Sequence, residues 1–231
     1  MLGTNPDRPM KKSLRVLAAL LAYPDASLRA HWHDMVDLLR EEGALSDARL
    51  AEVESLIATL RDGDPLEVEA GYVELFDRGR ATSLNLFEHV HGESRDRGQA
   101  MVDLARTYEQ AGLSLAPGEL PDYLPAVLEF VSTQPPREAR AFLGEIAHLF
   151  NAVYSALSQR RSLYAAAFGA LLELAGERPK ALAAVAEEPL DESWAEPPVF
   201  DGCSRRGQVR ADGVHPIRIV RNRASGQGVQ S

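Results

Sequence analysis

Between Tyr72 and Met101, carboxylates, guanidinium groups and imidazoles alternate with apolar side chains, so any chemistry is sought there first. His89 and His91, flanked by Glu88 and Glu93, are of the types that ligate zinc or iron. Side chains two apart on a helix diverge by about 200°, so the pair does not grip one ion as an i, i+4 pair does. Hydrogen bonding to nearby carboxylates is the plainer use of these imidazoles, and no metal site is expected. A hydrolytic nucleophile lacks its Gly-x-Ser-x-Gly turn, and Gly79-Arg80-Ala81-Thr82 lacks the Lys of a phosphate-binding loop. Arg78, Arg80, Arg95 and Arg97 sit among Asp77, Glu88, Glu93 and Asp96, which favours ion pairs within the chain. What remains is binding: apolar anchors for affinity and carboxylates for orientation suit a basic, amphipathic peptide.

The elements that must position this stretch are helical. Leu124, Val127, Leu128 and Val131 repeat at i, i+3, i+4, i+7 on a helix opening at Pro121-Asp122. Met101, Leu104, Ala105 and Tyr108 mark another, with Ser94 as N-cap and Gly112 beyond its end. A long central helix is expected from Pro136 through Phe142, Ile146, Phe150 and Leu157. Further helices are expected over 13–22, 27–41, 46–61, 64–76, 163–175 and 179–186, with Ser83 capping a short one that ends before Gly92. No run alternates with period two for long enough to make a sheet.

The 231 residues are 45 % hydrophobic and 26 % charged, which fits one globular domain with a tail. The fold class expected is all-α, a single-domain helical bundle over 13–188, with a flexible N-terminus over 1–12. An extended, Pro/Gly/Arg-rich arm, expected to be mobile, follows over 189–231. The net charge is −9, and the last 31 residues carry +4, leaving −13 on residues 1–200. Such a body repels nucleic acid and attracts basic ligands. The longest apolar runs, Val16–Tyr23 and Tyr164–Leu172, fall far short of the roughly 20 residues needed to cross a bilayer, so no membrane insertion is expected. Cys203 is the single cysteine, which excludes an internal disulfide and fits a reducing cytoplasm.

Tyr72-Val73-Glu74-Leu75-Phe76-Asp77-Arg78-Gly79-Arg80, Ser83-Leu84, the run Leu86–Met101 and Leu120-Pro121-Asp122-Tyr123-Leu124-Pro125 together carry a specific resemblance. Over about residues 14–188 the chain resembles the respiratory nitrate reductase assembly chaperones, the NarJ branch of the helical chaperones for molybdenum redox enzymes. The resemblance implies a protein that is not an enzyme and binds no permanent cofactor. It implies binding of the N-terminal peptide of the apo catalytic (alpha) subunit while molybdopterin guanine dinucleotide is inserted into that client, in contact with cofactor-insertion proteins. Carried over residue by residue, Tyr72, Leu75, Phe76, Leu86 and Phe87 are candidates to line the peptide site. Asp77, Glu88 and Asp122 are candidates to face its cations. Arg78, Ser83, His89, His91, Gly92, Arg95, Arg97, Met101, Pro121 and Pro125 are expected to organise the connection. A chaperone of the same fold for another molybdoenzyme is the alternative, and a metal-dependent helical enzyme using His89 and His91 is a remoter one.

Overall fold

A computed structural model describes residues 7–90 and 95–180. The expected arm beyond residue 188, the candidates His91 and Gly92, the N-cap Ser94 and the side chain of Arg95 lie outside the described residues. The architecture is all-α: among the described residues the nearest thing to a sheet is one isolated antiparallel bridge, Asn85 to Tyr123.

Helix α1 (Lys11–Leu21) forms the centre, with Leu14, Leu17, Leu20 and Leu21 at most 1 % exposed, and packs against α7 (Leu124–Ser132), α3 (Trp32–Glu42) and α10 (Ala165–Ala175). Its free N-terminal amides are satisfied from a distance. The Glu42 carboxylate accepts from the backbone N–H of Lys12 (2.9 Å) and Ser13 (2.7 Å), which also places negative charge at the positive end of the helix. Helix α4 (Asp47–Asp62) is capped by Ser46, whose own N–H donates to Glu173 on α10 at 2.6 Å. Helix α5 (Pro65–Tyr72) starts where Asp64 accepts from the N–H groups of Leu66 and Glu67, with Pro65 in its first turn.

Two helices expected as single pieces are broken. The 27–41 helix is α2 (Ala26–Arg29) and α3, interrupted at Ala30-His31; the break lets Trp32 enter the core at 1 % exposure while α2 buries no side chain. The long helix from Pro136 is α8 (Pro136–Glu145) and α9 (Ala147–Gln159), because Ile146 leaves helical geometry at φ −98°, ψ 5°. Helix α7 begins at Leu124, later than Pro121-Asp122, with Pro125 in its first turn. Helix α6 (Arg95–Gln110) matches the expected 101–108 pattern. The expected 179–186 helix starts outside helical structure: Lys180 is held by its N–H on Asn151 Oδ1 (2.7 Å) and its carbonyl on Ser155 Oγ (3.1 Å), and the rest lies outside the described residues.

Candidate functional site

The stretch singled out by sequence begins where α5 loses its regular register. From Val73 to Asp77 the backbone widens into a π-turn, a local feature that recurs at functional sites. The hydroxyl of buried Thr82 is within bonding reach of the Leu75 and Gly79 carbonyls, supplying a donor where the helical ladder has run out. Gly79 is required by space: a Cβ there would lie 2.5 Å from the Leu75 carbonyl oxygen.

The π-turn aims Tyr72 and Phe76 inward, at 3 % and 5 % exposure. Phe76 meets Tyr72 and Tyr164 with ring centroids 4.9 Å from each, and Tyr23 packs edge-on against Tyr72 at 5.6 Å. The Tyr72 hydroxyl donates to the Leu21 carbonyl (2.8 Å) and lies 3.2 Å from the Tyr123 hydroxyl. Burial pushes the Tyr72 hydroxyl far above its ordinary range, so it stays a donor at any working pH. Tyr72 and Phe76 therefore pack the bundle beneath this stretch. Leu75 is half-buried and Asp77 exposed.

Tyr123 links this cluster to the second half of the stretch. A 3₁₀ turn at Leu86–Glu88, shorter than the helix expected behind Ser83, is stitched to residues 120–124. Leu86 N–H donates to the Asp122 carbonyl (3.0 Å), and Leu124 N–H donates to the Leu84 carbonyl (2.8 Å). Ser83 does not cap this turn, whose N-cap position is Asn85 without a side-chain cap; its Oγ accepts from Asn85 N–H at 3.2 Å just ahead of the turn, and the His89 ring Nε2 pairs with the Ser83 carbonyl at 2.9 Å. Pro121 offers its carbonyl to the Tyr108 hydroxyl of α6 (2.8 Å); Met101 on the same helix is half-buried and Pro125 buried. Among the described residues no group of three or more His, Cys, Asp or Glu side chains is arranged to hold a metal ion.

Asp122 departs from expectation. Its side chain is fully enclosed, so it braces the Leu86–Glu88 turn from within and does not present a carboxylate to solvent. Oδ2 accepts from Phe87 N–H at 3.0 Å and lies 4.0 Å from Arg97, which also sits 3.6 Å from Glu88; Oδ1 has no partner. Burial raises its pKa, opposed by the Phe87 N–H and the Arg97 charge. The native state thus holds the Asp122 proton more tightly than the unfolded chain, and this group's contribution to stability falls as pH rises through that interval. Replacing the carboxylate with an amide removes that dependence. Asp122→Asn is expected to gain stability relative to wild type as pH rises from 4.5 to 7.5, read by urea unfolding of both proteins at both values. A relative loss over that range would show that Arg97 and Phe87 outweigh the burial.

The outer face of the same element holds a feature the sequence reading missed. An open groove of about 620 Å³ runs along α5 and the π-turn, with Tyr23, Leu66, Ala70, Gly71 and Val73 on its walls. Glu69, Glu74 and Arg78 form its polar margin; Glu74 pairs with Arg78 at 3.0 Å, and Glu69 with Arg29 at 2.7 Å. Leu66 is 76 % exposed, the most exposed large apolar side chain among the described residues. The signal available in sequence was an apolar residue one step inside the acidic, Pro-led first turn of a helix. Of the predicted peptide-site residues, Asp77, Leu75, Phe87 and Glu88 are at least partly accessible, whereas Tyr72, Phe76, Leu86 and Asp122 are buried.

The described residues thus form an all-α bundle with an open groove beside α5 and a buried polar clamp at Asp122. A crystal structure from Archaeoglobus fulgidus described as a redox enzyme maturation protein superposes with a TM-score of 0.55 over 73 % of this chain and 94 % of that one, at 20 % identity, which establishes the fold alone. The family model described as nitrate reductase delta subunit matches residues 24–170. The chain is 43 % identical over 200 residues, 85 % of its own length and 84 % of the relative's, to the nitrate reductase molybdenum cofactor assembly chaperone NarJ of Escherichia coli (strain K12). The chain belongs to the nitrate reductase delta subunit family; it is a protein of the assembly-chaperone class, not a catalytic enzyme.

Proposed function

We propose that the protein is a system-specific chaperone for respiratory nitrate reductase. It binds the N-terminal segment of the apo alpha subunit in the cytoplasm and holds that subunit competent for insertion of molybdopterin guanine dinucleotide. It releases the subunit for membrane docking and is absent from the finished enzyme. The cofactor belongs to the client, and cofactor-insertion proteins meet the chaperone while the client is held. The observation that carries this reading is the likeness to an assembly chaperone over most of both chains. The charge of −13 on residues 1–200 agrees with a basic client segment. Asp77 and Glu88 face the client's cations, Leu75 and Phe87 offer apolar contact, and Tyr72, Phe76, Leu86 and Asp122 hold these groups in place from inside. Among the described residues no helix is long and apolar enough to cross a membrane.

Calorimetric titration with a synthetic peptide of the alpha subunit's N-terminus, beside a scrambled peptide of equal charge, tests the reading. Saturable binding of the native peptide alone, at about micromolar strength or tighter, is expected. Equal binding of both peptides would reduce the effect to non-specific attraction, and absence of binding would overturn the reading. The affinity is expected to weaken from low to physiological salt, where the screening length falls to about 8 Å. An affinity indifferent to salt would assign the binding to apolar contacts alone.

A further inference from the structure

We infer that Arg140, on α8, and Arg8, in the segment ahead of α1, form a binding site for a phosphate-type dianion where α3 and α10 end. The site shares no residue with the stretch from Tyr72 to Met101 and does not depend on the chaperone reading.

Four helices bring the two guanidinium groups together. Helix α10 ends at Gly176 and α3 at Gly43, both in left-handed backbone with φ of 86° and 60°. Arg140 Nη1 lies 3.7 Å from where a Cβ on Gly176 would stand, and Arg8 Nη2 lies 3.7 Å from the same position on Gly43. Helix α8 packs along α10, and α1 against both α3 and α10, which sets the two arginines at neighbouring helix ends. Burial, and after it the nearby Arg8 charge, pushes the Arg140 pKa down.

Arginines elsewhere in the bundle face carboxylates. Arg29 pairs with Glu69, Arg40 with Glu54, and Arg137, one turn before Arg140 on the same helix, with both oxygens of Asp7 at 2.5 and 2.9 Å. Arg140 Nε and Nη1, by contrast, are enclosed and have no acceptor, and among the described residues no carboxylate pairs with Arg140 or Arg8. Three acids at this end are committed to other groups: Asp7 to Arg137, Glu42 to the N–H groups of Lys12 and Ser13, and Glu173 to Ser46. A buried donor without an acceptor is costly, a buried charge without a counter-charge more so, and a second guanidinium beside it adds repulsion. The C-terminal carbonyls of α3 and α10 turn a partial negative charge toward the arginines. That attraction supplies neither a full counter-charge nor an acceptor for Arg140 Nε and Nη1.

Charge selects the ligand. One carboxylate neutralises one arginine, as Asp7 does for Arg137. Two neighbouring guanidinium groups call for two negative charges and several acceptor oxygens at one point, which a phosphate supplies. Lys11 and Arg15, exposed a turn apart on α1, add positive potential just beyond Arg8. The charge of −13 on residues 1–200 repels a long polyanion such as nucleic acid, so the fitting ligand is a small molecule carrying one or two phosphate groups.

The test uses the full chain. Thermal unfolding is followed as inorganic phosphate or pyrophosphate is added, with chloride balancing the ionic strength, and phosphorus NMR line broadening reports binding directly. For wild type, binding to the folded state alone should raise the midpoint by roughly 3–6 °C at about ten times the dissociation constant. Arg140→Met is expected to abolish the shift and, since it removes an uncompensated charge, to melt no lower than wild type without phosphate. Arg8→Gln alters an exposed side chain and keeps the test decisive if the change at Arg140 disturbs packing; its binding should be at least about fivefold weaker. Arg61→Gln, in a pair with Asp62 elsewhere, should bind as wild type does. Pyrophosphate binding more tightly than phosphate would uphold the site and identify a diphosphate-bearing ligand; equal or weaker binding would uphold it for a single phosphate group. A midpoint that moves no more with either anion than with chloride, or a shift of wild-type size in both Arg140→Met and Arg8→Gln, overturns the site.

Discussion

Phe76→Ala is expected to lower stability by about 3–5 kcal/mol, the range for deleting a fully packed aromatic side chain. For a chain of this size roughly 2–4 °C of melting temperature goes with each kcal/mol, so the midpoint should drop by roughly 6–20 °C. The cause is geometric. Phe76 is 5 % exposed and its ring sits 4.9 Å from both Tyr72 and Tyr164, so its removal leaves a cavity bordered by two rings. The Tyr164 hydroxyl already has no partner and stays protonated because burial raises its pKa. That cavity therefore opens beside a polar atom with no compensating bond. Phe76→Leu keeps most of the apolar volume and is expected to cost no more than about 1.5 kcal/mol. On the proposed function, its affinity for the alpha subunit's N-terminal peptide should stay within twofold of wild type, since the ring is buried in the bundle and presents no surface. Thermal unfolding of both variants, with peptide titration of the Leu variant, checks this. A stable Phe76→Ala protein with lost affinity would place the ring in direct contact with the client instead.

Gly79→Ala should produce the second large effect, and for a reason opposite to cavity formation. The backbone at Gly79, φ −93° and ψ 98°, suits any residue. The obstacle is space: an added Cβ would lie 2.5 Å from the Leu75 carbonyl oxygen, 2.8 Å from Arg160 Nη1, and closer still to Thr82 Oγ1. The Arg160 guanidinium can swing away, but the carbonyl and the threonine are fixed by the π-turn and by burial. Overpacking of this kind costs about 1–3 kcal/mol, more than the roughly 0.4–1 kcal/mol that alanine recovers by restricting the unfolded chain. The Thr82 hydroxyl should lose the Leu75 carbonyl, and hydrogen exchange at residues 73–90 should rise beyond the global change. Gly71→Ala, eight residues earlier and inside α5, meets nothing and should stabilise by the full entropic amount. Equal stability of Gly79→Ala and wild type would mean that the turn can open without cost.

Several helices were legible because their signals are local. Asp64-Pro65 starts α5 and Ser46 starts α4 by short-range capping, and Gly43 and Gly176 end α3 and α10 with φ of 60° and 86°. The breaks at Ala30-His31 and at Ile146 were not legible, because the apolar spacing runs through both without interruption and only the neighbouring helices decide which direction each half must take. The π-turn was hidden for a similar reason. Its register depends on Thr82, several residues beyond it, turning back to reach the Leu75 carbonyl.

The sequence by itself determined the all-α class and the family to which the chain belongs, and it singled out the stretch from Tyr72 to Met101 as the candidate site. These follow from periodicity, capping residues and a long specific motif, none of which needs distant contacts. Only the tertiary structure decided which of those residues face outward. Asp122 reads as a surface acid until Phe87, 35 positions earlier, brings its N–H to Oδ2 and Arg97 closes in from α6. Tyr72 and Phe76 share a helical face with Leu75, yet the two rings are buried against Tyr164 while Leu75 remains half-covered. Leu66, which looks like an ordinary core residue, is left in solvent because no described element covers its side of α5. Burial is a property of the whole packed assembly, set by which faces find a partner across the chain.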